Sequence, residues 1–238
     1  MKLGVILPHF SDVATPALDA AKRAENLGLD GVFVYDHIWP MGRPDRPALS
    51  AFPLLGAVAA VTSTIWFGSL VARVGLVTEQ KLISLFVSLE RMAPARVIAG
   101  LGTGDSMSTA ENQAYGIAVE PVAKRRQILM RCCLELGSKG IPVWIGAGAA
   151  PTSKVALGCG AALNVWEAEP SKVKELAPLG EVTWAGKLPG MDQGVFRAGT
   201  KMAVAHLQSL ATAGASWAVS TWPGAAGLVV LAGARQSL

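Results

Sequence analysis

Residues 3–35 read LGVILPHFSDVATPALDAAKRAENLGLDGVFVY, and this stretch sets the pattern for the rest of the chain. Leu3–Leu7 is a short apolar run, which is typical of a parallel strand buried on both faces. A helical pattern follows, with Pro16 in its first turn and Gly28 at its end. Gly31–Tyr35 is a second apolar run. Strand, helix and strand in this order predict a parallel unit with a right-handed connection.

The same alternation continues to the end of the chain. Eight strands are predicted: Leu3–Leu7, Gly31–Tyr35, Trp66–Arg73, Arg96–Leu101, Pro142–Ile145, Ala162–Trp166, Glu181–Ala185 and Ser216–Thr221. A helical pattern follows each strand, as in residues 51–61, 78–94, 121–136, 200–213 and 225–234. Eight such units predict a closed (β/α)8 TIM barrel. Such a barrel typically needs about 250 residues, so the 238 residues of this chain predict a single domain spanning residues 1–238.

A doubly wound open sheet is the alternative to a barrel. A dinucleotide-binding sheet of that kind carries a G-x-G-x-x-G turn after its first strand. Here the turn is Pro8-His9-Phe10-Ser11-Asp12, which lacks those glycines. The sequence therefore favours the barrel.

Composition narrows the classes of function. Hydrophobic residues make up 51% and charged residues 16%, which favours a packed globular enzyme. The net charge is +4 without a run of five basic residues, so we expect no nucleic-acid partner. Cys132, Cys133 and Cys159 form no metal-binding motif, and we expect no metal and reduced thiols in the cytoplasm. The apolar runs at residues 1–8 and 224–234 are too short to cross a membrane, so no membrane association is expected.

In a barrel, function concentrates where the strands end. The second strand ends in Tyr35-Asp36-His37-Ile38-Trp39, which places an acid beside an imidazole. His37 is a candidate general acid or base, and Asp36 a candidate partner that fixes its tautomer. The alternative is a pair that only closes the barrel rim.

The fourth strand ends in the glycine-rich run Gly100-Leu101-Gly102-Thr103-Gly104-Asp105. Glycines let a backbone approach a flat ligand closely. Gly102, Thr103 and Gly104 are therefore candidate cofactor contacts, and Asp105 is a candidate catalytic carboxylate. The alternative is a tight turn that needs glycine for its geometry.

Three further strand ends carry candidate cofactor contacts. After the fifth strand, Gly146, Ala147, Gly148 and Ala149 lead into a helix, and exposed N–H groups there are suited to a phosphate. The alternative is a short turn without a ligand. Arg73 ends the third strand, where it could contact an anion or form a salt bridge at the rim. Trp166 ends the sixth strand and could pack against a planar ring.

Taken in order, these motifs resemble the bacterial luciferase-like monooxygenase superfamily, and the resemblance covers nearly the whole chain. Its motifs are Leu3 to Pro8, Tyr35-Asp36-His37, Phe67-Gly68-Ser69-Leu70-Val71, Arg96 to Asp105 and Pro142-Val143-Trp144-Ile145-Gly146. The stretch GLGTGDSMSTAENQAYG, residues 100–116, is similar to the branch that uses the deazaflavin coenzyme F420.

The resemblance implies a (β/α)8 fold, a homodimer and a ring system held at the strand ends. Asp36 and His37 would lie beside the reactive ring, with Asp105 as the nearby acid. Ser69, Leu70 and Val71 would form a bulge behind the ring, with a cis peptide at Leu70–Val71 or one residue earlier. The segment 146–149 would bind the cofactor's phosphate.

The chain also departs from the family pattern. Members usually carry a long insertion before the fifth strand, whereas here Gly137-Ser138-Lys139-Gly140 is the whole link. The leading hypothesis is an F420-dependent oxidoreductase that passes a hydride to or from a small organic substrate. The alternatives are an FMN-dependent monooxygenase and a barrel that binds a flavin or deazaflavin without catalysis.

Overall fold

The structure is a computed structural model that describes residues 1–104, 108–191, 196–235 and 238. Within these residues all strands lie in one parallel sheet. The strands are β1 (Lys2–Ile6), β2 (Gly31–Val34), β3 (Trp66–Ser69), β4 (Ala72–Arg73), β5 (Val97–Gly102), β6 (Val143–Gly146), β7 (Ala162–Trp166), β8 (Val182–Gly186) and β9 (Ala215–Ser220).

The sheet closes on itself. Neighbouring strands pair in the order β3-β2-β1-β9-β8-β7-β6-β5-β4, and β3 also pairs with β5. Strands β3 and β4 are the two parts of one predicted strand, interrupted at Leu70–Val71 by a cis peptide bond. Eight strand positions therefore form the ring. The predicted (β/α)8 barrel is confirmed, and so is the position of the cis bond.

Helices follow the strands around the outside of the barrel. They are α1 (Thr15–Asn26), α2 (Ala51–Val61), α3 (Glu79–Met92), α4 (Thr109–Ala114), α5 (Val122–Ser138), α6 (Ala150–Gly158), α7 (Pro170–Leu176), α8 (Phe196–Thr212) and α9 (Gly224–Ala234). The sequence interpretation missed α4, a short helix in the loop between β5 and α5. Helix α5 runs almost directly into β6, as the short link at residues 137–140 predicts.

Aromatic side chains fill the inside of the barrel. The rings of Phe33, Trp144 and Trp217 lie within 5.1–6.0 Å of one another, centre to centre. At the end of the barrel where the strands begin, the ammonium group of Lys2 lies over the rings of Trp66 and Trp217. The interior of the barrel is thus a packed core, and a ligand site is expected at the C-terminal ends of the strands.

Two glycines let β3 approach β5 closely. A Cβ atom at Gly100 would overlap the carbonyl oxygen of Ser69, and one at Gly68 would overlap the carbonyl oxygen of Ile98. The Ser69 hydroxyl also donates a 2.7 Å hydrogen bond to the carbonyl oxygen of Gly100. Since backbone atoms cannot move aside as a side chain can, the close parallel pairing of β3 and β5 requires glycine at both positions.

We expect Gly100→Ala to lower the free energy of unfolding by about 1–3 kcal/mol or more, because its methyl group meets backbone rather than a flexible side chain. Chemical denaturation with urea measures the change. The matched control is Gly137→Ala near the end of α5, where an added Cβ meets nothing within 4 Å. That variant should be unchanged or more stable by up to about 1 kcal/mol. Equal stability of the two variants would contradict the packing argument.

Candidate active site

Asp36 and Arg73 join the end of β2 to the end of β4. The carboxylate oxygen Oδ2 of Asp36 accepts a 3.0 Å hydrogen bond from the backbone N–H of Arg73. In return, Nε of Arg73 donates a 2.9 Å hydrogen bond to the backbone carbonyl of Asp36. This reciprocal pair fixes the position of the interrupted strand next to His37.

Glu111, on the unpredicted helix α4, completes a cluster with these residues. Its Oε2 accepts hydrogen bonds from Nη2 of Arg73 at 2.9 Å and from the backbone N–H of Ile38 at 3.1 Å. Its Oε1 lies 2.7 Å from Nδ1 of His37. The Glu111 side chain is only 1% exposed, whereas that of His37 is 18% exposed. We call Asp36, His37, Arg73 and Glu111 the rim cluster.

Sequence reasoning missed Glu111, although a local signal was present. Ser108-Thr109-Ala110-Glu111 has the spacing of a capping box, which predicts the start of a helix. In the structure the Ser108 side chain makes no capping hydrogen bond, and the Glu111 carboxylate turns to the rim cluster instead. The motif could therefore have revealed α4. It could not have revealed a contact with His37, 74 residues away in the chain.

Burial shifts the pKa of three groups at this end of the barrel. Burial raises the pKa of Asp36, and the backbone N–H and charge of Arg73 oppose that rise. Burial likewise raises the pKa of Tyr35. His9 is buried, with its Nδ1 3.0 Å from the carbonyl oxygen of Leu7, and desolvation lowers its pKa. Its Nε2 has no hydrogen-bond partner among the described residues, so His9 is suited to the neutral state.

Aromatic rings line the side of the barrel mouth next to His37. The ring of Tyr35 lies 6.2 Å from that of His37 and 5.9 Å from that of Trp166, in both cases edge to face. Phe10 stacks on Tyr35 at 5.8 Å. Trp166 is 49% exposed, which is high for so large an apolar side chain. This wall offers a flat ligand a surface that the chain itself leaves uncovered.

Three of the predicted cofactor contacts line one open pocket. Arg73, Thr103 and Gly104 line this shallow pocket together with Asn112 and Arg125. The Arg125 guanidinium donates hydrogen bonds to the carbonyl oxygens of Thr103 and Gly104. Arg73 forms the ion pair that the sequence left open as an alternative. Its Nη1 is buried and has no partner among the described residues.

The segment after β6 presents backbone donors. The N–H of Ala147 is already used, since it donates to the carbonyl oxygen of Asn164 at 2.8 Å. The N–H groups of Gly148, Ala149 and Ala150 have no such partner in the described part of the chain, and Ala149 caps α6 without a side-chain hydrogen bond. A Cβ at Gly148 would meet nothing within 4 Å. The start of α6 is therefore open and rich in donors, as an anion requires.

The other residues predicted to contact the cofactor are mostly packed within the barrel wall. Ser69 and Leu70 are buried in the wall of the barrel. Gly102 lies so close to Val71 that a Cβ there would overlap the Val71 side chain, so packing alone explains this glycine. Asp105 lies outside the described residues. Within the part that the structure describes, no group of three or more His, Cys, Asp or Glu side chains could hold a metal ion, and no helix is long and apolar enough to cross a membrane.

Comparison with known families identifies the class of protein. The sequence profile of the luciferase-like monooxygenase family matches residues 1–130, more than half of the 238 residues. The chain belongs to this family. The family resemblance stated from the strand-end motifs is thereby confirmed.

The curated relatives that match this chain share the same enzyme description. The F420-dependent glucose-6-phosphate dehydrogenase of Beutenbergia cavernae is 39% identical over 88 residues, which are 37% of this chain and 26% of that protein. The enzyme of the same description from Kineococcus radiotolerans is 36% identical over 111 residues, 46% of this chain and 33% of that protein. The matched regions thus span only about a quarter to a third of the relatives' length.

Solved structures agree on the fold. An F420-dependent secondary alcohol dehydrogenase in complex with an F420-acetone adduct superposes with a TM-score of 0.78 at 15% identity, over 98% of this chain and 97% of that one. The F420-dependent tetrahydromethanopterin reductase of Methanopyrus kandleri gives 0.73 at 15% identity, also over 98% and 97%. At this identity the likeness establishes the luciferase-like barrel and no more.

Proposed function

We propose that this chain is an oxidoreductase that transfers a hydride between coenzyme F420 and a small organic substrate. The observation that carries the proposal is a partly exposed imidazole, His37, held at the mouth of a luciferase-like barrel beside an uncovered aromatic wall. The F420-dependent dehydrogenases among its relatives support the choice of cofactor.

The residues present fit such a cofactor. F420 combines a planar ring system with a phosphate, and the mouth offers a place for each. The exposed face of Trp166 is suited to the ring, and the N–H groups of residues 148–150, which have no backbone partner among the described residues, are suited to the phosphate. Val71, in the interruption between β3 and β4, is only partly buried and lies 3.7 Å from the Cβ position of Gly146. Strands β6 and β7 are neighbours, with Gly146 paired to Asn164, so residues 148–150 after β6 and Trp166 at the end of β7 lie at the same edge of the barrel.

When bound, the deazaflavin would supply hydride acceptance and donation. The chain's own residues would bind and orient the cofactor and would transfer the substrate proton. Val71, Gly146 and Trp166 would orient the ring, and the N–H groups of residues 148–150 would hold the phosphate. His37 would take a proton from the substrate hydroxyl during oxidation and return it during reduction. We propose Asp105 as a second acid at this rim, on the family resemblance alone.

The direct test is titration of the protein with F420 and, separately, with FMN, followed by tryptophan fluorescence. We expect F420 to quench the emission of Trp166 at micromolar concentration, because the ring would cover its exposed face. The variant Trp166→Leu should lose most of that quenching. Binding of FMN but not F420, with oxygen uptake by the reduced flavin, would replace the proposal with the monooxygenase alternative. Binding of neither would overturn both.

The phosphate site yields a sharper prediction. Gly148→Asp should weaken F420 binding by about 10-fold or more, corresponding to about 1.4 kcal/mol, because its carboxylate would repel the phosphate. The side chain has room at this position, so the fold should be unaffected. Gly137→Asp is the matched control, since it adds the same charge at another open glycine on α5. Equal Kd values for the two variants would contradict a phosphate at residues 148–150.

The proposal also covers the domain organisation, the oligomeric state and the cellular location of the protein. We propose that residues 1–238 fold as one domain, which fits a barrel whose ring closes between β1 and β9. A homodimer is proposed on the family resemblance, and light scattering on the purified protein tests it. A cytoplasmic location is supported by the three cysteines, which are all free thiols.

A further inference from the structure

We infer that Glu111 is a positioning residue that holds His37 in the tautomer with its proton on Nδ1, so that Nε2 presents a lone pair to the barrel mouth. The tautomer follows from the geometry of the rim cluster by itself. Its consequence for turnover rests on the proposed function. Neither the sequence motifs nor the comparisons assign a role to Glu111.

The donors around Glu111 determine the direction of its hydrogen bond to His37. Nη2 of Arg73 and the backbone N–H of Ile38 both contact Oε2, and both groups can only donate. Arg73 remains charged in proteins, and it stabilises Glu111 as a carboxylate. An ionised carboxylate can only accept, so Nδ1 of His37, 2.7 Å from Oε1, must be the donor.

The surroundings of His37 leave Nε2 for a ligand. Asp36 is committed to the backbone N–H of Arg73, and Tyr35 meets the His37 ring edge to face rather than through a hydrogen bond. His9, the other titratable group close by, faces the carbonyl of Leu7 through its Nδ1. Nε2 of His37 makes no hydrogen bond within the described residues and is not among their buried unpaired atoms. The exposed edge of the ring is therefore its accepting edge.

Burial makes Glu111 a suitable positioning group. A carboxylate that is 1% exposed has three partners, so rotation of its side chain would break several bonds at once. In the proposed oxidation, the O–H bond of an alcohol breaks as Nε2 accepts its proton. Oxidised F420, when bound, would accept the hydride from the carbon, so that the alcohol would become a carbonyl compound. The resulting imidazolium would face the Glu111 carboxylate, which would stabilise its positive charge.

The tautomer can be measured without cofactor or substrate. The chain has only three histidines, His9, His37 and His206. Two-bond proton–nitrogen spectra of the full chain with ¹⁵N-labelled histidine distinguish the two neutral tautomers, and loss of one signal set in His37→Gln assigns His37. We expect wild-type His37 to carry its proton on Nδ1 at a pH where the ring is neutral. A proton on Nε2 would overturn the inference, whatever the outcome of F420 binding.

A variant pair separates positioning from stability. Glu111→Gln should remove the preference for the Nδ1-protonated tautomer and lower kcat by about 10-fold or more, while F420 binding stays within about twofold. Glu90→Gln is the control, since Glu90 is a partly buried glutamate that accepts a hydrogen bond from the backbone N–H of Ala95, away from the rim cluster. It should leave the His37 spectrum unchanged. If Glu111→Gln does not fold, Glu111→Asp retains a carboxylate and should keep the tautomer. A His37 spectrum unaltered in Glu111→Gln would contradict the assignment.

Discussion

His37→Ala is expected to lower kcat by about 10²–10⁴-fold, which is the usual contribution of a positioned general acid or base. The Kd for F420 should change little, because in the proposed site Trp166 and residues 148–150 hold the cofactor. Turnover is measured with oxidised F420 and a trial alcohol, either propan-2-ol or glucose 6-phosphate. The readout is loss of the visible absorbance of the oxidised cofactor.

The control for this prediction is His206→Ala. His206 lies on α8, and its ring packs 5.3 Å from that of Trp184, on an element that contributes nothing to the rim cluster. This variant should retain wild-type kcat. Equal losses in both variants would indicate a general effect of removing a histidine. An active His37→Ala would exclude His37 as the proton acceptor and would favour Asp105, the second proposed acid, in that role.

The barrel was predictable because its signals are local. Runs such as Leu3–Leu7 and Ala162–Trp166 are apolar throughout, as parallel strands covered on both faces must be, and the structure has strands at both places. The interruption at Leu70–Val71 was predicted in position, but only through family resemblance. Residues 66–73 contain no composition signal that would have distinguished one strand from two.

The site was less predictable because its contacts are distant in sequence. Asp36 was expected to fix the tautomer of His37, yet it accepts from the backbone of Arg73, and Glu111 contacts the imidazole instead. The glycines of β5 were interpreted as space for a ligand, but Gly100 and Gly102 accommodate Ser69 and Val71. In both cases the residue type was noticed, but its partner lies on another element: Glu111 on α4 for His37, and residues 69 and 71, at and just after the end of β3, for the glycines of β5.

Arg73→Met is expected to lower the free energy of unfolding by about 3–5 kcal/mol at neutral pH. The aliphatic stem is kept, but the carboxylates of Glu111 and Asp36 lose the cation beside them, and an uncompensated buried charge is costly. Urea denaturation followed by circular dichroism measures the change. The control is Arg131→Met, which breaks an exposed ion pair with Glu79 and should have little effect, since surface pairs contribute little.

The same variant should show a distinctive dependence on pH. Burial already raises the pKa of Asp36 above 3.8, and loss of the Arg73 charge raises it further. A carboxyl group with a raised pKa in the folded state favours folding most below its unfolded pKa, and this contribution is lost as the pH rises through the folded value. The deficit of Arg73→Met relative to wild type should therefore grow as the pH rises from about 4, near the ordinary pKa of an aspartate, to 8. A deficit that is constant across this range would mean that Arg73 stabilises the barrel through packing of its stem, and that its charge does not compensate the rim carboxylates.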